Sequence, residues 1–421
     1  MSRGQSDFRS RHRQRAHDEA HADSGPPHDA RIPEHLQAAR GQVELIDSAA
    51  ALDDLIAQLR AAGSFAYDSE FIGESSYHPK LCLIQVATAE QIWLIDPLAK
   101  LDINPFWRLL ADASVEKIVH AGAQDVEPVC RLFGEPARNI FDTQIAAGFV
   151  AMAYPTSLAK LVLELTGVAL HKGLTFTYWD QRPLSAKQMR YAADDVRYLP
   201  AVTIELKKRL ERTGHLAWVM TECNAICDPA LYRFTPEVAL EKVRGSGTLE
   251  PRQLNVLKEL VVWRDTATRA ADLPARSYLK DEVLIDLSRN GPKNRDQLGR
   301  IRGMPRPLID AEGDTLIALV TKGLAASTDG VEVLRGVEST PTERFAADAL
   351  WTAAQAICIS QSIDPAAVTS RTEIGELHRH LIDNTDPSDL RVMKTWRGEA
   401  LGNKLLAVYR GESVVSISLP K

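Results

Sequence analysis

The sequence predicts a mixed α/β sheet with flanking helices, followed by one or two small all-helical domains. Three apolar runs of strand length come first, at 64–71, 81–87 and 91–96, and only three residues separate the second run from the third. Runs that close together are typical of antiparallel strands joined by tight turns. Strands and helices then alternate, and beyond about residue 250 only helical periodicity remains. An antiparallel start followed by alternating strands and helices is typical of a mixed sheet.

The alternating part of the chain adds two strands to the first three. A helical stretch around 106–110 precedes a strand at 117–120, and a helix at 125–133 precedes a short strand at 139–141. Helices then follow to about residue 213. This order predicts helices packed against the sheet.

The chain divides into five predicted segments. The first 40 residues are rich in Arg, His, Asp, Gly and Pro and lack apolar periodicity, so they cannot offset the entropy of ordering. The segments are a flexible tail at 1–40, the sheet domain at 41–215, a linker region at 216–249, and helical domains at 250–327 and 340–415. A faint echo between the two helical domains leaves open whether the second is a copy of the first.

Composition excludes several classes of protein. The 421 residues are 45% hydrophobic and 25% charged, so collagen, coiled-coil and wholly disordered chains are disfavoured. No apolar run reaches the roughly 18 residues needed to cross a bilayer, and the start of the chain lacks the apolar core of a secretory signal. We therefore expect a cytoplasmic protein without membrane contact. The five cysteines lack zinc-site spacing and are expected to be reduced thiols.

The net charge of -6 argues against a strongly basic nucleic-acid coat. An acidic enzyme can still bind a polyanion through metal ions that its carboxylates hold and through local basic patches. The net charge therefore does not exclude an enzyme that binds a polyanion through metal ions.

Two carboxylates stand on the first predicted strand of the meander. Asp68 and Glu70 are two residues apart, so on a strand they point to the same side. In a buried position they would repel each other unless cations lay between them. The alternative is an exposed strand end with two solvated acids.

Two further motifs lie later in the same domain. Asp125 falls in the first turn of a helix after the fourth strand, where the helix dipole alone would explain a carboxylate. Tyr191 and Asp195 are four residues apart on one face of a predicted helix, which places a phenol beside a carboxylate. Each motif is common and carries little weight by itself.

Taken together, the three motifs resemble, in order and spacing, those of the DEDD exonuclease superfamily in its tyrosine-bearing branch. Neighbouring segments are similar to those of the bacterial ribonuclease D family, and the helical segment at 250–325 is similar to the helicase-and-RNase-D C-terminal (HRDC) domain. The segments that carry the resemblance are Tyr77-His78-Pro79-Lys80-Leu81-Cys82-Leu83-Ile84-Gln85, His120-Ala121-Gly122, Phe141-Asp142-Thr143-Gln144, Trp179 with Arg182-Pro183-Leu184, Trp263-Arg264, Asp272-Leu273-Pro274 and Ile301-Arg302-Gly303.

The resemblance implies a ribonuclease-H-like mixed sheet of five strands and a 3'-5' exoribonuclease that releases nucleoside 5'-monophosphates. It implies that two Mg²⁺ or Mn²⁺ ions are held by Asp68, Glu70, Asp125 and Asp195, and that Tyr191 orients the attacking water. Oxygen ligands suit such hard cations, and two ions can stabilise both the attacking and the leaving oxygen. The implied substrates are RNAs, above all tRNA precursors with 3' extensions.

Two departures from the family pattern concern single positions. Ser69 stands where Thr is usual, at a position expected to face away from the metals, and Thr177-Tyr178 replace a more usual Ser-Asp pair. The four acids and the tyrosine are all present, so an active enzyme is expected. Asp142 is either the N-cap of the following helix, which we favour, or a metal contact. We expect a structural role for His120.

Six side chains are candidate RNA contacts. Two of them belong to a basic segment at 289–306, which carries six Arg or Lys residues against one acid, although a solvated helix end explains that segment equally well. The candidates are Gln85, Trp179, Lys187, Arg190, Arg300 and Arg302.

Two alternatives to an exoribonuclease remain. A 3'-5' DNA exonuclease would use the same metal site, and only contact with a 2'-hydroxyl separates the two activities. A catalytically silent RNA-binding scaffold would require the loss of a metal ligand, and none is missing. We favour a monomer.

Overall fold

Six strands form one mixed sheet in this computed structural model, which describes residues 38–39, 41–73, 75–170, 177–330 and 340–416. The strands are β1 (Val43–Ile46), β2 (Ser64–Ile72), β3 (Lys80–Ala87), β4 (Ile92–Ile95), β5 (Glu116–Val119) and β6 (Ile140–Asp142). Their order is β1-β4-β3-β2-β5-β6. The predicted tail at 1–40 lies outside the described residues, except for Ala38 and Ala39.

The pairing confirms the mixed sheet. β2, β3 and β4 are antiparallel neighbours, whereas β5 runs parallel to both β2 and β6. The expected number of five strands is wrong, because β1 pairs in parallel with β4 at the sheet edge. β1 has only four residues, and Ile46 alone is buried. This strand, Val43-Glu44-Leu45-Ile46, is too short for its three apolar residues to show a strand period in the sequence.

The alternation along β2 determines where its acids lie. Phe65 and Tyr67 point into a core that also contains Phe106, whereas Ala66 packs with Ala193 on the other face. Because side chains alternate along a strand, Asp68 and Glu70 continue the side of Ala66. The helix that carries Ala193 covers this face.

The helices around the sheet are α1 (Ala49–Ala62), α2 (Asn104–Leu110), α3 (Ala123–Pro128), α4 (Thr143–Ala147), α5 (Leu158–Thr166), α6 (Ala186–Arg197), α7 (Leu199–Thr213) and α8 (Leu216–Ala225). A π-helical turn at Val129–Phe133 continues α3. The remaining helices are α9 (Pro236–Glu241), α10 (Pro251–Ala271), α11 (Ala275–Tyr278), α12 (Asp281–Asn290), α13 (Arg295–Gly299), α14 (Arg306–Ala325), α15 (Pro341–Ser360), α16 (Pro365–Val368), α17 (Arg371–Ile382), α18 (Thr395–Arg397) and α19 (Asn403–Tyr409).

The predicted linker region at 216–249 contains helices of its own. Val219 and Cys223, one turn apart on α8, are fully buried in a core shared with the helices of the sheet domain. Val243 and Leu249 are buried in the core of the helical segment that follows. Buried apolar residues therefore pack this region against the sheet domain on one side and against the following helical segment on the other. None of the described helices is long and apolar enough to cross a membrane.

Candidate active site

One strand and two helices bring the predicted metal ligands to one end of the sheet. Asp68 and Glu70 lie on the central strand β2, which has a bulge directly after Glu70. Asp125 lies in the first turn of α3, which begins soon after β5. Asp195 is near the end of α6, the helix that covers this face of the sheet.

A capping box fixes the start of α6. The Ser185 hydroxyl accepts the backbone N–H of Gln188, and the Gln188 side chain accepts the backbone N–H of Ser185. Such a reciprocal pair sets the position of the first turn. Tyr191 and Asp195 follow one turn apart on α6, and burial together with the charge of Asp195 raises the pKa of the phenol. Both residues lie on one helix, as the periodicity of the sequence predicts.

Three of the four predicted ligands form one cluster. Asp68, Glu70 and Asp195 each offer a carboxylate oxygen, and these oxygens all lie within 4.8 Å of one another. All three residues are half-buried. The cluster therefore brings together residues of β2 and α6 that are more than 120 positions apart in the sequence.

Asp125 stands beside this cluster rather than within it. The Ser69 hydroxyl donates to its Oδ1 at 2.5 Å, and the Tyr67 hydroxyl donates to its backbone carbonyl at 2.7 Å. Ser69 faces away from Asp68 and Glu70, as expected, but it does contact a predicted ligand. The reason is that α3 approaches the sheet from the Ser69 side.

The carboxylates of the site make one another harder to ionise. Burial, followed by the negative charge of Asp125 and Asp195, raises the pKa of Asp68 well above its ordinary value. Burial and the charge of Asp195 raise the pKa of Glu70 to about 8. Burial is also the main cause that raises the pKa of Asp125 to about 6 and that of Asp195 to about 7. Without a cation, the site carries an unfavourable concentration of negative charge.

This donor set fits a divalent metal. All of the ligand atoms are carboxylate oxygens, which Mg²⁺ and Mn²⁺ prefer. The Oδ2 atom of Asp195 is buried and has no hydrogen-bond partner among the described residues. A buried carboxylate oxygen without a donor is costly unless a cation binds it.

Asp142 is the N-cap of α4. Its side chain accepts the backbone N–H groups of Gln144 and Ile145, and also those of Ala121 and Gly122. Both carboxylate oxygens are therefore occupied by backbone donors, which is the capping role favoured from the sequence.

His120 has a structural place near the floor of the site. Its Nδ1 lies 3.0 Å from the Thr143 hydroxyl, and its Nε2 lies 3.1 Å from the Thr156 carbonyl oxygen. Burial lowers the pKa of this imidazole. With both ring nitrogens bonded to neighbouring segments, the ring links β5 to the residues around α4.

Of the six candidate RNA contacts, two are buried and four are exposed to solvent. Gln85 pairs with Asp68 across β2 and β3 and is completely buried, and its amide has no partner among the described residues. Trp179 is only 6% exposed. Both therefore form part of the wall of the site and offer almost no surface to RNA. The exposed candidates are Lys187, Arg190, Arg300 and Arg302.

Sequence reasoning missed the residues that hold the wall in place. Arg182 forms a two-point ion pair with Asp96, the residue that follows β4. Asp96 caps a short helical turn, and nothing in its apolar surroundings marks it as a partner for a distant arginine. In the sequence, Arg182 stands out only as part of a segment that resembles the family.

Comparison with known proteins identifies the family of this chain. The chain matches a 3'-5' exonuclease family over residues 43–211 and the HRDC domain over residues 253–320. A ribonuclease D from Gluconacetobacter diazotrophicus is 32% identical over 376 residues, which cover 89% of this chain and 94% of the relative. Ribonuclease D from Escherichia coli is 31% identical over 86% of this chain and 97% of its own length.

A solved structure extends the similarity to the fold. The crystal structure of Escherichia coli RNase D superposes with a TM-score of 0.75 at 30% identity, and the match covers 88% of this chain and 99% of that chain. The family resemblance inferred from the motifs is confirmed. The chain belongs to the ribonuclease D family and is a 3'-5' exoribonuclease with a metal-dependent exonuclease domain.

Proposed function

We propose that this protein removes nucleotides one at a time from the 3' ends of structured RNAs, by a hydrolysis that depends on two Mg²⁺ or Mn²⁺ ions and releases nucleoside 5'-monophosphates. The observation that carries the proposal is the cluster of Asp68, Glu70 and Asp195 oxygens within 4.8 Å of one another, with the phenol of Tyr191 beside it. Asp125 completes the set of acids at the same end of the sheet.

The four acids would hold the ions. Bound ions would neutralise the carboxylates and stabilise the charge that develops on the attacking and leaving oxygens. Ser69 leaves Oδ2 of Asp125 available, because its hydroxyl occupies Oδ1. The orphaned Oδ2 of Asp195 is a second available ligand atom.

Tyr191 would orient the attacking water. Burial and the charges of Asp195 and Glu70 raise the pKa of its phenol, so the hydroxyl keeps its proton at neutral pH. A protonated phenol is a poor base and a good hydrogen-bonding group. The position of Tyr191 one turn before Asp195 on α6 keeps the phenol next to the carboxylate cluster.

The proposed substrates are tRNA precursors and other structured RNAs with 3' extensions. The Escherichia coli relative is described as an exoribonuclease involved in structured RNA processing. Exposed cations at Lys187 and Arg190 lie on α6 beside the acids, and those at Arg300 and Arg302 lie on the HRDC-like segment. Cations in such positions can follow an RNA backbone without reading its sequence.

The test is a nuclease assay on a tRNA with a short 3' extension. We expect the parent protein to shorten the RNA to discrete mature ends in Mg²⁺ or Mn²⁺, to release 5'-monophosphates, and to lose activity in EDTA. Asp68→Ala should abolish the activity, whereas Asp54→Ala, an exposed acid on α1, should keep it. Tyr191→Phe should slow turnover with metal binding kept.

Matched RNA and DNA oligonucleotides test the substrate class. We expect the RNA to be degraded faster, since a 2'-hydroxyl is what an exoribonuclease can contact and DNA lacks. Equal rates on the two strands would refute the RNA preference, and activity that persists in EDTA would refute the role of the metals.

A further inference from the structure

Arg182 is the centre of a polar network beside the active site. Its Nε and Nη2 donate to the two carboxylate oxygens of Asp96, both at 2.6 Å. Nη2 also donates to the Cys82 carbonyl at 2.7 Å, and Nη1 donates to the carbonyls of Trp179 and Gln181 at 2.7 and 2.9 Å. A guanidinium has five N–H donors, and all five are used here.

The network fastens the loop before α6 to the sheet. Asp96 directly follows β4 and is 5% exposed, and Cys82 lies on β3. Trp179 and Gln181 belong to the loop itself. A bidentate pair between a planar guanidinium and a carboxylate fixes orientation as well as distance, which a lysine at the same position would not do.

The fastened loop carries the side chain that packs against Tyr191. The Trp179 indole is 6% exposed and lies in a small core with Leu83, Leu94 and Ala192. Its ring centre is 6.2 Å from that of Tyr191, and the two planes are inclined at 40°. Tyr191 itself is half-buried, so the indole forms the wall that limits the tilt of the phenol ring.

We infer that Arg182 is a positioning residue for Tyr191, which it holds in place through Trp179. This inference rests on the role proposed above for Tyr191. The ring of Tyr191 carries the hydroxyl, so a shift of the indole wall moves the hydroxyl relative to the carboxylates. Misplacement of a catalytic group by about 1 Å can cost roughly 100-fold in rate. Arg182 acts on turnover in this way without touching RNA or metal.

The experiment is a double-mutant cycle measured as kcat and KM on a single-stranded RNA in Mg²⁺. We expect Arg182→Lys to lower kcat about tenfold with KM changed less than about twofold, because positioning is lost while substrate binding is kept. In the Tyr191→Phe background the same substitution should lower kcat less than about twofold, because no phenolic hydroxyl remains to be misplaced.

Controls separate this role from a general loss of structure. Arg209→Lys changes another ion-paired arginine, on α7, and should keep the parent kcat in both backgrounds. Trp179→Phe leaves every donor of Arg182 in place and should show the same dependence on Tyr191. If Arg182→Lys does not fold, Trp179→Phe in the two backgrounds tests the positioning role by itself.

The outcomes are distinct. An equal loss of kcat in both backgrounds, or a parent-like kcat for Arg182→Lys and Trp179→Phe, would overturn the inference and leave the proposed function intact. A parent-like kcat for Tyr191→Phe would instead refute the role of the phenol under the proposed function, and the inference with it.

Discussion

Ser69 and Asp68 are neighbours on one strand, but they act on different acids of the site. Asp68 points toward Glu70 and Asp195, whereas the Ser69 hydroxyl binds Asp125 from the opposite face of β2. The residue between the two carboxylates, Ser69, therefore also contributes to the site, through its hydrogen bond to Asp125. Sequence reasoning found the acids through the family resemblance of three motifs taken together, since the spacing of Asp68 and Glu70 on a strand left an exposed strand end open. It could not find the Ser69 contact, because that contact depends on where α3 approaches the sheet.

Removal of the Ser69 hydroxyl should weaken metal binding. In Ser69→Ala, Oδ1 of the buried Asp125 loses its donor, and the carboxylate is free to rotate. Loss of such an orienting partner typically costs roughly 10- to 100-fold in metal affinity or activity. Titration calorimetry with Mn²⁺ and the turnover rate measure the two effects. Ser69→Thr keeps the hydroxyl and should behave like the parent, and a Ser69→Ala protein with parent-like affinity would contradict the role.

The raised pKa values predict how metal-free stability depends on pH. In the folded protein, the pKa of Glu70 is about 8 and that of Asp195 about 7, whereas both groups release their protons near pH 4 in an unfolded chain. Between these values the folded state binds more protons than the unfolded state, so the free energy of unfolding falls as pH rises from about 4 to about 8. Bound metal removes this penalty.

Thermal unfolding in EDTA and in Mn²⁺ at pH 5 and pH 8 checks that prediction. We expect Mn²⁺ to raise the melting temperature more at pH 8 than at pH 5, because binding stabilises by about 2.7 kcal/mol when free metal is 100-fold above Kd and weakens when ligands are protonated. Glu70→Gln should reduce the fall of stability with pH in EDTA. A fall of the same size in the variant and the parent would contradict the assignment.

At the scale of elements, hydrophobic periodicity predicted the strands and helices that pack on a face of the sheet. It missed short elements with few buried residues. The meander, β5, β6 and the helix with Tyr191 were predicted because their apolar residues repeat with the period of the element. The strand β1 was missed because its four residues, Val43-Glu44-Leu45-Ile46, are too few to show a period. The helices at 216–249 were missed because they are short and bury few residues, so their apolar periodicity is weak, although buried residues of the region join two cores.

The basic segment around α13 yields a prediction about salt dependence. Arg300 and Arg302 are exposed, whereas Arg295 is already paired with Asp314 at 2.7 Å. If Arg300 and Arg302 each neutralise a phosphate, neutralising both residues should reduce the slope of log K against log salt by about 1.4, at about 0.7 per contact with a single strand. Binding of a catalytically inactive Asp68→Ala protein to RNA at several salt concentrations measures this slope.

Arg295→Gln is the matched control for that measurement. Its guanidinium already has an anionic partner, so its loss should change the slope less than the loss of Arg300 or Arg302. A slope that stays at the parent value in Arg300→Gln/Arg302→Gln would remove this segment from the RNA interface.

At the scale of the whole molecule, the last helical segment is part of the same core as the sheet domain. Phe149 and Leu161, from the sheet domain, belong to one buried cluster with Leu350 and Trp396 from the last segment. The rings of His215 and Trp218 are stacked at 4.8 Å, and those of Trp218 and Trp396 at 5.5 Å. The sequence predicted helices at 340–415 but not this shared core, because contacts between distant segments have no local pattern.

An ion pair at this junction, between the buried Arg397 and the half-buried Glu222, gives the last prediction. Glu222 on α8 accepts from both Nη atoms of Arg397, at 2.8 and 2.5 Å, and from the Trp396 indole N–H at 2.8 Å. Arg397 also donates to the Val368 carbonyl at 3.1 Å. Glu222→Gln removes the negative charge and leaves the buried guanidinium of Arg397 without a counterion, which should cost about 1 to 3 kcal/mol because Glu222 itself is half-buried.

Urea unfolding measures that loss, and a partly exposed pair supplies the comparison. Glu205→Gln breaks the pair between Glu205 and Arg209 on α7 and should cost less than about 1 kcal/mol. The double variant Glu222→Gln/Arg397→Met should be destabilised by less than the sum of its single changes, since it leaves no unpaired charge in the core. If Glu222→Gln is no less stable than Glu205→Gln, the ion pair contributes nothing to the junction, and aromatic and aliphatic packing alone joins the last helices to the exonuclease domain.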